Sequence, residues 1–209
     1  MKRILVFLSI SAFFIFVSCA NAKGLVLGKQ IEVMPQGEYA TIKTEKGISA
    51  IHKLGSSNKV EVQQCMKKVL SHPGDYAPPV LCAASSVLVK QHKMKQASFW
   101  YFACLLRAIS DAEKTKDRSS REAIPTLVSD FFKPIDDYIY DRDELREKII
   151  FQVVKWDKKT PRTYDARWIM LYGLGAFSNK KFDFAPKSKW NAINAATREK
   201  FLKIWKADE

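Results

Sequence analysis

At 209 residues, with a formal net charge of +13 and 47% hydrophobic content, the chain is long enough for one substantial core and short for two. Its three histidines and four cysteines show neither Cys-x-x-Cys nor i, i+4 histidine spacing, which argues against a metal centre. It has no Gly-x-Ser-x-Gly elbow and no phosphate loop, and Gly173-Leu174-Gly175 lacks the third glycine of a dinucleotide fingerprint, so no cofactor is implied.

Lys2 and Arg3 precede an almost unbroken apolar run, Ile4 to Val17, followed by the small residues Ala20-Asn21-Ala22. Residues 1–22 are therefore expected to be a secretory signal peptide, since a run of about 14 residues is short of the roughly 20 that span a bilayer. Phe16-Val17-Ser18-Cys19 also resembles a loose lipobox, which would make Cys19 the lipidated residue. Removing Lys2 and Arg3 with the signal leaves 33 basic and 22 acidic residues, a charge of +11. An exported basic chain meets an acidic protein or an anionic envelope surface before it meets nucleic acid, and lysines also serve simply as solvated surface.

Residues 23–57 carry five glycines and no evident helical spacing, so they read as an irregular leader or as a short β-hairpin pairing Tyr39–Thr44 with Ile48–Ile51. Residues 58–209 read as a helical domain. Val62, Cys65, Met66, Val69 and Leu70 form one stripe, capped by Ser57 or Asn58 and ended by Pro73-Gly74. Pro78-Pro79 opens a second helix to about Lys90, and a third runs over residues 95–110, so three helices go up, down and up. The polar stretch Asp111 to Arg121 reads as a loop that tolerates change.

Beyond it, residues 122–132 and 134–140 are expected to be short helices broken by Pro125 and Pro134. Asp141, with Glu144 three residues on, reads as the cap of a better helix with Leu145, Ile149, Val153 and Trp156 on its apolar stripe. Tyr164 to Phe177 is expected to dock aromatics into the core, and Ser188 to cap a final helix.

The residue types that remain for acid–base chemistry are Asp136, Asp137, Asp141, Asp143 and Glu144, clustered around Tyr138 and Tyr140. Acidic residues ahead of a helix also stabilise its N-terminus without any catalysis. Five tryptophans at helical spacing are more often core than a ligand groove.

Ala97, Trp100, Tyr101 and Cys104, with small residues alternating against large aromatic ones, resemble the second helix of a Sel1-like or tetratricopeptide-type repeat over one unit of about 35 residues, 76–110. Cys104 stands where such repeats have Ala, and Lys90 to Lys93 replaces the glycine-rich bend. The resemblance implies an all-α fold of antiparallel helical hairpins stacked in that manner. It also implies a non-enzymatic binding role toward a protein partner in the envelope, as an adaptor, inhibitor or immunity-type protein. An envelope hydrolase using the acidic cluster, or a structural lipoprotein anchored at Cys19, are the alternatives. Cys82 and Cys104 lie symmetrically about a turn centred on Lys93, and Cys65 and Cys82 about one between Pro73 and Gly74, so both pairings sit level. The resemblance places the closest helix approach at Cys104 and so favours Cys82–Cys104 as the disulfide; three reduced cysteines remain the third arrangement.

Overall fold

The computed structural model describes residues 35–177 and 182–205. The signal expected over residues 1–22, Cys19 and the expected leader up to residue 34 lie outside them. Seven α-helices run through the described residues: α1 Glu45–Leu54, α2 Lys59–Ser71, α3 Pro78–Lys90, α4 Met94–Ala112, α5 Ala123–Ile139, α6 Asp143–Lys159 and α7 Lys187–Trp205. Five 3-10 segments join them, of which Ala166–Tyr172 is the longest. No strand occurs among the described residues, only the isolated bridge between Thr115 and Phe184. The architecture is all-α.

The antiparallel pair α3–α4 is the centre. Pro78 and Pro79 begin α3 where N–H groups are unpaired in any helix. The helix ends in a glycine-free Schellman turn: the His92 N–H donates to the Val89 carbonyl and the Lys93 N–H to the Leu88 carbonyl, with His92 at φ 57°. Ala84, Ala97 and Ala103 are fully buried, which lets the two helices approach closely. The Ser85 hydroxyl donates to the Ala97 carbonyl at 2.7 Å across the seam. Cys82 and Cys104 are joined by a disulfide with Cα atoms 5.5 Å apart, and Cys65 is a free, buried thiol. Helices α1 and α2 pack on the α3 flank, and α6 and α7 on the α4 flank.

Several sequence expectations are corrected. The β-hairpin over residues 39–51 does not form, because Gly47, Ala50, Ile51 and Leu54 have i, i+3, i+4, i+7 spacing. They lay one face of α1 on α3, where Gly47 passes close to Val80. The two short helices expected over residues 122–140 are one continuous helix, α5. Pro125 falls in the first turn of α5, and the hydrogen bond lost at Pro134 is offset by burial of Ile135 and Ile139.

Asp141 does not cap α6, which starts at Asp143 with no side-chain cap; the Arg142 guanidinium instead donates to the Tyr138 carbonyl. Ser188 lies inside the first turn of α7, whose entry is held by the Trp190 indole N–H donating to the Ala185 carbonyl at 2.7 Å. The largest correction concerns residues 111–121. Asp111, Lys114, Thr115 and Ser120 are buried, so this stretch is part of the interior rather than a dispensable loop.

Candidate functional site

The residues singled out by the repeat resemblance are packing residues. Ala97, Tyr101 and Cys104 are at most 1% exposed along α4. Trp100 is half-buried, edge-to-face with Phe99 and with Trp156 at centroid distances of 5.1 and 5.4 Å. The acidic residues proposed for acid–base work are not gathered in a cleft: Asp137 is exposed and paired with Lys133 at 3.3 Å, Asp143 is paired with Arg146 at 2.6 Å, and Asp141 and Glu144 are exposed. His52, His72 and His92 are exposed and separate.

The densest set of charges is one that inspection of motifs does not find. Asp157 of α6 is fully buried and accepts from three arginines: Arg107 Nε at 2.8 Å, Arg162 Nη2 at 2.8 Å and Arg198 Nη1 at 3.0 Å. Arg107, itself fully buried in α4, also donates to the carbonyls of Thr160 and Pro73, and its guanidinium lies 4.3 Å from the centre of the Trp156 ring. One turn along α4, Asp111 accepts from Lys114 Nζ at 2.5 Å and from the Tyr164 hydroxyl and the Trp168 indole N–H, each at 2.9 Å. Arg162 bridges the two carboxylates, with Nη1 3.5 Å from Asp111.

Burial alone would raise the Asp157 carboxyl, but the Arg162 and Arg107 guanidiniums outweigh it and hold it below its usual range. Burial, then the Asp111 charge, pushes the Tyr164 phenol well above its ordinary value, so it stays a hydrogen-bond donor. Burial pulls the Lys114 ammonium down against the opposing pull of Asp111. Both Asp157 oxygens and both Asp111 oxygens are therefore engaged by donors of the chain itself. Such a cluster ties α4, α6, α7 and residues 160–168 together; it offers no free lone pair for proton transfer. A signal was present in the sequence, in Arg107 within the buried spacing of α4 and in the density of Trp, Asp, Arg and Tyr from Trp156 to Trp168.

Gly74 extends the tie toward α3. Its carbonyl accepts from the Thr163 N–H at 2.8 Å, and a Cβ at this position would strike the Pro161 carbonyl. Asp75 accepts from the Thr163 hydroxyl and from Lys46, and these bonds hold its carboxyl low. At Asp165 burial is outweighed by the Arg167 guanidinium fork, again lowering the carboxyl.

Asp157, Asp75 and Asp165 each bind a proton less readily in the folded chain than in the unfolded one. Their support is complete above the ordinary carboxylate range and is lost as pH falls from that range through their lowered folded values. Thermal midpoints are expected to drop steeply below about pH 4. A midpoint flat from about pH 5 to pH 2 would contradict this assignment.

The open concave surface lies on the other flank of the molecule, between α1 and α2. Lys46, Ser49 and Lys53 from α1 face Glu61, Gln64 and Lys68 from α2 across a groove of about 310 Å³, whose floor includes Ala50, Cys65 and Tyr76. It continues as a shallower depression past Ile48 and His52. Asn58 positions α2 by accepting from the N–H groups of Val60 and Glu61. Lys46 stands over the Tyr76 ring at 4.8 Å while paired with Asp75. The Cys65 thiol donates to the Ala50 carbonyl, and burial raises it, so it is a protonated floor atom rather than a nucleophile. The groove is not legible in the sequence, because α1 falls within the segment expected to be an irregular leader or a short hairpin.

No family model, curated protein or solved structure matches this chain.

Proposed function

We propose that the protein is an exported, non-enzymatic helical binding module that recognises a protein partner in the cell envelope, with its hairpins stacked in the Sel1-like manner. The observation that carries this is the groove between α1 and α2, an elongated depression with an apolar floor and lysines on both walls. Helix pairs of this kind accept an extended or helical segment of another chain, the apolar floor contributing affinity and the rim charge choosing the sign of the partner. The buried ionic cluster supports the non-enzymatic part, since its carboxylates are committed to arginine and lysine.

A photo-crosslinking residue placed at Gln64, on the groove wall, is expected to join the protein to one envelope protein in cells. The pair Lys53→Glu and Lys68→Glu is expected to abolish that adduct while leaving the thermal midpoint unchanged, because both ammonium groups are exposed. Equal adduct formation in parent and variant, or none in the parent, would remove the groove from this role.

A further inference from the structure

On the flank away from the groove, α6 turns a different kind of surface outward. From Lys148 to Lys159 its exposed residues are Lys148, Phe151, Gln152, Lys155, Lys158 and Lys159. The one acidic residue between Lys148 and Lys159, Asp157, points inward and is consumed by Arg107, Arg162 and Arg198, so within these turns no exposed carboxylate offsets the four lysines; exposed Glu144 lies one turn before Lys148 and bounds the basic stretch. Lys148, Phe151, Lys155 and Lys158 follow one another at three- and four-residue steps, which sets a 62% exposed phenyl ring midway along a single lysine stripe. The inward face, with Ile149, Ile150 and Val153, is the part that packs. Helix α7 lies alongside and adds Lys200, next to exposed Glu199. The Asp157–Arg198 and Arg162–Asn194 contacts set an antiparallel register in which exposed Lys200 stands level with Lys155, and Ile204, 70% exposed, level with Phe151.

We infer that the outer face of α6 docks the protein on an anionic phospholipid surface, with Phe151 entering the headgroup layer and Lys148, Lys155, Lys158 and Lys159 meeting phosphates. The pattern favours a bilayer over an acidic protein, since one exposed ring stands among lysines, with Gln152 as the one further exposed residue from Lys148 to Lys159. A lysine stem can lie along the apolar layer while its ammonium reaches a phosphate, and a ring among such stems sits at the boundary between headgroup and acyl chain. The attraction per lysine is modest and falls off within a Debye length, so several lysines on one face are needed and salt must weaken the contact. The inference is independent of the groove reading. With the α3–α4 pair between them, a membrane on α6 leaves the groove of α1 and α2 accessible.

Vesicle co-sedimentation tests it, using protein purified in the form the cell processes and vesicles of phosphatidylcholine with or without phosphatidylglycerol. The parent is expected to sediment with the phosphatidylglycerol vesicles and to be released by salt. The Lys155→Glu, Lys158→Glu pair is expected to lose roughly tenfold or more in affinity and Phe151→Ala several-fold, both with unchanged circular dichroism. The Lys53→Glu, Lys68→Glu pair on the opposite flank is expected to bind as the parent does. Absence of parent binding, equal binding by the α6 variants, or equal loss in the groove variant would overturn the inference. So would α6 variants that keep vesicle binding while losing a protein crosslink formed at position 151, since that would give the face to an acidic protein.

Discussion

Replacing Asp157 by alanine is expected to destabilise the protein by about 3–5 kcal/mol, the range for breaking a buried ion pair from one side. The effect comes from what is left behind. Arg107 has no exposed surface and no room to swing out to water, so its charge would remain in the interior with two carbonyls and the Trp156 ring as its remaining company. Arg162 and Arg198 retain 10% and 18% exposure and can partly turn outward, so the cost concentrates on Arg107. Arg107→Met combined with Asp157→Leu removes the pair together and is expected to recover much of the loss, since an apolar pair of similar volume needs no desolvation. Urea unfolding of the single and double variants measures both. A single variant within about 0.5 kcal/mol of the parent would show that the cluster does not hold the fold together.

Loss of the Cys82–Cys104 bond is the second large effect. The bond closes a loop of 22 residues, for which the chain-entropy account gives about 3 kcal/mol. The Cys82→Ala, Cys104→Ala variant is expected to unfold at correspondingly lower urea, with native circular dichroism at zero urea, because α3 and α4 keep their alanine contacts and the Ser85–Ala97 hydrogen bond. Both sulfurs are fully buried, so in the parent they are expected to resist mild reductant until the chain unfolds. Non-reducing peptide mapping should recover Cys82 linked to Cys104, with Cys65 alkylated after denaturation. A linked peptide containing Cys65 would refute the pairing.

The sequence by itself determined the all-α class and the three helices α2, α3 and α4, because their signals are local. The Asn58 cap, Pro78-Pro79 and the spacing of Val62 to Leu70 act within one or two turns, and the helices observed begin and end within about two residues of those expected. Level placement of Cys82 with Cys104 was legible in the same way, although it did not by itself separate Cys104 from Cys65. The helix α1 is not legible in the glycine-rich segment 23–57, because Gly47 packs against Val80 and that requirement belongs to α3. Asp141 and Asp143 looked like the chemistry because they lie together in sequence, yet in the structure they lie in solvent. Tertiary structure alone decided which charges are buried. Arg107 meets Asp157 from 50 residues away, Asp111 meets Trp168 from 57, and Ser110 meets Asn194 from 84. A charge leaves water when partners arrive to replace the water; Lys114 and Arg162 are near Asp111 and Asp157 in sequence, but burial of the two carboxylates also needs Arg107, Trp168 and Arg198 from distant parts of the chain. The same holds for the two surfaces: α1 and α2 leave a groove because both pack on α3, and α6 shows its lysines because Asp157 has been drawn inside.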